Sequence, residues 1–419
     1  MLFENGLTQL DGIAAIRAVN ETLRRIDSRL VDHGDRVAFI ACELLDAAHL
    51  ELDKNALYLL CLFHDIGAYK TDEIDRMLEF ETRNVWDHSI YGYLFLKHLS
   101  PLSQMSDAVL YHHSAWEQMA DCPRRDYAAL LYLADRIDVL SSYSYSEKIN
   151  SFKALKANAD KVFREDYLEL FFSCYKERRI FERLADGSYK HDNSDIIERY
   201  EISSAQALRF LEMIVYSIDF RSEHTVTHTI NTVSIALNIA AHFGLDEQTC
   251  EKIYLGALLH DVGKIAIPLE ILESPGGLSP EQMTVMRRHV VETEQMIEKI
   301  VPEDICKIAV RHHEKLDGSG YPRGLMGDEL DFNQRIVAVS DIVSALASRR
   351  SYKEEFPKEK TLSILKNMQR SELDPQICQY IIENYDSIML QTDPHRSKII
   401  QSYLSIADEF KLLKAKFDY

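Results

Sequence analysis

Apolar residues downstream of His228 fall at Val233, Ala236, Leu237 and Ala240, the i, i+3, i+4, i+7 stripe of an amphipathic helix. Gly244 then stands where a left-handed cap is expected, and Asp246 is suited to cap the start of a further helix. That next segment, EKIYLGALLHD, is apolar nearly all round, which predicts a central, buried helix. The first half repeats the scheme: VAFIACELL (37–45) reads as amphipathic, and KNALYLLCLFHD (54–65) as a buried helix ending on His-Asp. No alternating strand pattern and no glycine-rich phosphate loop interrupts this rhythm, so the expected class is all-α.

The two halves also repeat each other in polar residues. His33 is followed by His64 and Asp65, then His88, His112 and His113, then Asp135. His228 is followed by His260 and Asp261, then His289, His312 and His313, then Asp341. The step from the first histidine to the His-Asp pair is 31 residues in one half and 32 in the other; from the middle histidine to the double histidine it is 24 and 23. This is the pattern of a duplication. The region 150–203 breaks it and contains the loop-like stretch ADGSYKHDNSD.

Composition narrows the function classes. Glycine (15) and proline (10) are sparse, which suits long helices. The net charge of −19 excludes extended nucleic acid and anionic lipid as natural partners, so a phosphate ligand must be small and locally held. Seven scattered cysteines without a Cys-x-x-Cys pair read as reduced thiols of a cytoplasmic protein. The longest apolar run, ALYLLCLF, is too short to span a membrane.

Adjacent His-Asp at the end of an apolar helix buries two polar groups that need a partner. Five histidines and two aspartates per half suffice for two metal ions with one shared carboxylate. A nitrogen-rich set without thiolates suits iron, manganese, nickel or zinc better than calcium or magnesium. Paired metals serve phosphoester hydrolysis, clamping the attacking and leaving oxygens and providing hydroxide near neutral pH.

The order His…His-Asp…Asp in both halves resembles the HD superfamily of metal-dependent phosphohydrolases. LLHDVGKIAIP (258–268), ILESPGGLSPEQ (271–282), MRRHV (286–290), HHEKLDGSGYPRGL (312–325) and VAVSDIVSALASRRSYK (337–353) are similar to the HD-GYP family, over roughly 221–355. The resemblance implies two tandem HD-type helical domains joined by a helical linker. The boundaries expected are an N-terminal HD-like domain at 1–148, a connector at 149–203, an HD-GYP catalytic domain at 204–370 and a helical extension at 371–419. It also implies hydrolysis of a cyclic dinucleotide, most often cyclic di-GMP, to pGpG or GMP. No motif reads the base, so 3',3'-cyclic GMP-AMP or another phosphodiester is an alternative substrate. A regulatory role with little turnover, docking other signalling proteins, is an alternative of another class, and a homodimer is compatible with either.

Carried over residue by residue, His228, His260, Asp261 and Asp341 match the ligands of one metal, and Asp261, His289, His312 and His313 those of the other, with Asp261 bridging. Lys264 matches the lysine facing the scissile phosphate, and Arg350 and Lys353 the cations gripping ligand phosphates. Asp317, Gly318, Gly320 and Tyr321 belong to the substrate loop, whose glycines permit close backbone approach. His224 occupies the position of a glutamate associated in some members with a third metal, and is either a ligand or a neighbour of the site. The first half keeps ligand-type residues at His33, His64, Asp65, His88, His112, His113 and Asp135. It has Ala68 where the second half has Lys264, Ser144 and Glu147 at the spacing of Arg350 and Lys353, and no DGSGYP. A metal-binding regulatory domain without cyclic dinucleotide hydrolysis is expected there.

Overall fold

The computed structural model describes residues 12–24, 28–48, 50–70, 86–199, 201–220, 226–274, 277–347, 356–390 and 394–417. Among these the chain is helical, with two isolated β-bridges and no strand, as the sequence pattern predicts. No helix among the described residues is long and apolar enough to cross a membrane.

The fold divides into two compact units. An N-terminal unit takes residues 27–202 with 405–419, and a C-terminal unit takes 1–26 with 203–404. The junction at 202/203 lies one residue from the 203/204 expected from sequence, while the two ends of the chain and the region 149–202 are assigned differently. The Gly12–Arg24 helix joins the C-terminal unit, packing along Ser204–Asp219 through buried Ala15, Ile16 and Val19. The region 149–202 is no free connector. Its helices pack onto the N-terminal unit, where Phe152, Phe171, Tyr175 and Phe181 form an aromatic cluster. The stretch that reads as a loop holds instead the helix Tyr189–Arg199, begun just after Gly187 closes the preceding one at φ +77°. Tertiary contacts decide this: Tyr189 packs against Phe39, and the Asn193 amide donates to the Asp35 carbonyl at 2.8 Å. Residues 371–404 likewise belong to the C-terminal unit, and the end of the Pro394–Phe417 helix to the N-terminal one, where Phe410 stacks on Tyr91.

In the N-terminal unit, Ser28–Ala48 packs on Lys54–Phe63 and Arg125–Ser141. Asp53 caps the Lys54–Phe63 helix by accepting from the Asn55 and Ala56 amides, and every residue from Leu57 to Phe63 is buried. In the C-terminal unit, Val226–His242 ends at Gly244 (φ +66°), and Asp246 accepts from the Thr249 amide to start Glu247–Leu259. Both caps stand where the sequence places them. Phe332–Ala347 packs against Val226–His242 and completes the cradle. In each unit the buried helix therefore delivers its terminal His-Asp pair into the core, a costly placement unless the polar atoms find partners.

Candidate metal centre

In the C-terminal unit the seven predicted ligands converge. Asp261 Oδ2 lies 3.1 Å from His260 Nε2 and 3.5 Å from His228 Nε2, which in turn is 3.0 Å from Asp341 Oδ1. The other oxygen, Asp261 Oδ1, lies 3.4 Å from His289 Nε2 and 3.9 Å from His312 Nε2. His313 Nδ1 is 3.5 Å from Asp341 Oδ2. One carboxylate thus faces two separate nitrogen groups with its two oxygens.

Hydrogen bonds fix which nitrogen four of the five histidines present. His260, His289 and His312 each place Nδ1 against the carbonyl three residues earlier, at 2.7, 2.6 and 2.6 Å. A carbonyl only accepts, so Nδ1 carries the proton and Nε2 turns its lone pair inward. Ser344 does the same for His228: its hydroxyl donates to the His228 carbonyl at 2.9 Å and accepts from Nδ1 at 3.0 Å. His228 Nε2, His260 Nε2 and Asp261 Oδ1 are buried without hydrogen-bond partners. Converging lone pairs with nothing to bind are expensive, and a cation is what this donor set fits.

The electrostatics agree with that fit. Burial holds His289 below its usual pKa, His312 well below it, and His313 down to about 3, so these three imidazoles are neutral at pH 7, while Asp261 and Asp341 outweigh burial at His260 and raise it. Burial by itself raises the Asp261 and Asp341 carboxyls, but the surrounding histidines, and for Asp261 also Lys264, outweigh it and hold both well below the usual range. Metal ligation needs this combination of ionised carboxylate and neutral imidazole.

Two glycines set the spacing, a feature sequence reasoning missed although HDIG and HDVG repeat in plain view. Behind Asp261 the tight turn Val262–Ala266 presses against Pro280–Ile297, and the Gly263 amide donates to Thr293 Oγ1 at 2.9 Å. A Cβ on Gly263 would meet the His289 carbonyl oxygen at 2.1 Å. Gly67 makes the same approach to the His88 carbonyl at 2.0 Å in the N-terminal unit.

Lys264 donates to Asp261 Oδ2, at the edge of the centre. Tyr321 lies over His313 with ring centres 4.6 Å apart. The buried Glu314 carboxylate shapes the glycine-rich loop, accepting from the Arg323 and Leu325 amides at 2.7 and 2.9 Å. Gly318 takes φ +76°, and a Cβ on Gly320 would strike the Glu314 backbone at 2.5 Å, so the folding of the loop itself requires both glycines. Asp317 is exposed, and its carboxylate accepts from the Ser319 amide and hydroxyl within that turn. His224, Arg350 and Lys353 lie outside the described residues.

The N-terminal unit gathers the same constellation. Asp65 Oδ2 stands 3.3 Å from His64 Nε2 and 3.9 Å from His33 Nε2, while Asp65 Oδ1 is 3.7 Å from both His88 and His112. Asp135 Oδ1 lies 3.1 Å from His33, and Asp135 Oδ2 is 3.8 Å from His113. His64 Nε2, Asp65 Oδ1, His112 Nε2 and Asp135 Oδ1 are again buried without hydrogen-bond partners. Two differences were not visible in the motif comparison. Buried Arg136 grips Asp135 Oδ2 at 2.7 Å, where the second unit has Ile342 after Asp341. Asp138, one turn beyond Asp135, takes the place of Ser344 and accepts from His33 Nδ1 at 2.7 Å. Burial would lower His33, but Asp135 and Asp138 outweigh it and raise it to about 10. Ala68 is fully buried and supplies no ammonium group.

Comparison with known proteins places these clusters. Two family models, each described as HD domain, match the chain, over residues 30–140 and 211–377. The "3'3'-cGAMP-specific phosphodiesterase 1" of Vibrio cholerae serotype O1 is 26% identical over 386 residues, 86% of this chain and 89% of the relative. The "Cyclic di-GMP phosphodiesterase response regulator RpfG" of Xanthomonas campestris pv. campestris is 37% identical over 169 residues, 40% of this chain and 45% of the relative. A crystal structure of a cyclic GMP-AMP specific phosphodiesterase of V. cholerae, V-cGAP3, shares the fold with a TM-score of 0.51 at 16% identity, covering 91% of this chain and 99% of that one. The chain belongs to the HD superfamily, with two HD domains in tandem, the second of the HD-GYP family.

Proposed function

We propose that the C-terminal unit hydrolyses a 3',3'-cyclic dinucleotide, cyclic di-GMP to pGpG or on to GMP, with two divalent transition-metal ions, iron or manganese before nickel or zinc. The observation that carries this reading is Asp261, whose two oxygens face two distinct histidine groups. His228, His260 and Asp341 would hold one ion with Asp261; His289, His312 and His313 would hold the other with it. When bound, such ions supply Lewis acidity toward a phosphoryl oxygen and hydroxide at neutral pH. The chain's own groups do the rest. Ser344 and the helix carbonyls keep four of the five imidazoles oriented, and Lys264 offers a fixed positive charge beside the centre for the developing phosphorane. Arg350 and Lys353 would grip the substrate phosphates against the net charge of −19.

A second reading, 3',3'-cyclic GMP-AMP as substrate, is favoured by one fact. The relative whose match extends over both units is named for that molecule. The full chain reloaded with manganese or iron, given both cyclic dinucleotides side by side, tests the two together. Hydrolysis of either supports the phosphodiesterase and the ratio sets the base preference. Full metal loading without turnover of either overturns it in favour of a regulatory binder.

A further inference from the structure

Beside the N-terminal cluster, within the N-terminal unit, lies a cavity of about 510 Å³, a volume typical of small-molecule sites. Three cations, Arg29, Arg36 and Lys148, converge on it in a chain that is otherwise strongly acidic. Two carboxylates, Asp32 and Asp138, also line it. Asp138 is committed: it accepts from His33 Nδ1 at 2.7 Å and from Arg36 Nε and Nη2 at 2.6 and 2.9 Å. Arg36 keeps donors beyond the two spent on Asp138, and Arg29 and Lys148 complete the cationic wall. Lys148 has no carboxylate partner among the described residues; its ammonium sits 5.0 Å from the centre of the Phe181 ring, itself part of the wall. The Ser141 hydroxyl, only 3.5 Å from Asp138 Oδ1 at best, is able to turn toward an occupant.

We propose that this cavity binds a small molecule carrying a phosphomonoester. The phosphate lies between Lys148, Arg29 and the open edge of the Arg36 guanidinium, and the remainder of the ligand rests on Phe181. A phosphate dianion has enough oxygens to engage all three cations and a hydroxyl at once, which charge-assisted hydrogen bonds reward. Asp138 gives the site a readout. It lines the cavity and orients His33, so an occupant that draws on Arg36 alters the hold of Asp138 on His33 in the N-terminal cluster. The site belongs to the N-terminal unit and does not depend on what the C-terminal centre hydrolyses.

The test is calorimetric titration of the full-length protein with inorganic phosphate and, separately, with GMP. Wild type, Lys148→Ala, Lys148→Arg and Arg29→Ala are compared, with melting curves as the folding control. Losing one charge-assisted contact weakens binding about tenfold to a hundredfold. One class of sites should therefore weaken by that factor in Lys148→Ala and in Arg29→Ala and be retained in Lys148→Arg. Any binding at the C-terminal centre stays the same in all four proteins. GMP binding tighter than phosphate assigns the site to a phosphorylated ring compound resting on Phe181, and equal affinities assign it to the phosphate group itself. Folded Lys148→Ala and Arg29→Ala proteins that bind both probes as wild type does overturn the proposal.

Discussion

Gly263→Ala tests how the metal centre is spaced. The added Cβ would lie 2.1 Å from the His289 carbonyl oxygen and 2.5 Å from the Thr293 amide nitrogen, both backbone atoms that cannot rotate away. The turn behind Asp261 and the helix carrying His289 must part by about 1 Å to restore an ordinary contact. His289 Nε2 stands 3.4 Å from Asp261 Oδ1, so such a shift is a large fraction of the distance one ion would bridge. Overpacking of this kind costs about 1–3 kcal/mol, or roughly 2–12 °C in Tm for a unit of this size. Displacing reacting groups by about 1 Å costs on the order of a hundredfold in rate. Gly263→Ala should keep its helical circular dichroism, melt lower, lose bound metal and hydrolyse cyclic dinucleotide about a hundredfold more slowly. The measurements are a thermal melt, elemental analysis of the purified protein and turnover at saturating substrate. Gly67→Ala is the internal comparison, since its Cβ would meet the His88 carbonyl at 2.0 Å. It should destabilise the N-terminal unit by a similar amount and leave hydrolysis at the wild-type rate. A Gly263→Ala protein with wild-type melting, metal and turnover would refute the argument.

Asp261→Ala removes the carboxylate that faces both histidine groups, so metal content and turnover should collapse together while the helical fold survives; full metal by elemental analysis would contradict this. Lys264→Ala should spare the metal but slow hydrolysis about a hundredfold to a thousandfold, as loss of one preorganised charge does. Loss of metal in that variant would make the lysine structural. Arg350→Ala with Lys353→Ala should raise KM about ten- to a hundredfold per residue with less effect on kcat, and an unchanged KM would place both outside the pocket. His64→Ala with Asp65→Ala should lower total metal yet leave the C-terminal ligands occupied and hydrolysis intact; lost hydrolysis with that metal in place would make the N-terminal centre part of the catalytic machinery.

Much of this protein is determined locally, and the sequence by itself sets it. Helix periodicity, the Asp246 cap and the Gly244 turn depend on residues within one or two helical turns, so their pattern in the chain is sufficient. The ligand set is legible for a related reason. His64-Asp65 and His260-Asp261 end apolar helices, where polar groups are tolerated only with a partner. Three of the tautomers are local as well, because the carbonyls that receive the Nδ1 protons of His260, His289 and His312 lie three residues back in the chain, whereas that of His228 depends on Ser344, 116 residues away. Only the tertiary structure decided the division into units. Whether 149–202 is a linker or a layer depends on whether Tyr189 and Asn193 find Phe39 and Asp35, more than 140 residues away. The same holds for charge at the N-terminal centre, where Arg136 stands beside Asp135 in the chain but matters because both are buried facing His33 and His113. Gly67 and Gly263 show the boundary most clearly: the sequence displays the glycines, but only the approach of a second helix backbone to about 2 Å of the missing Cβ gives them a role.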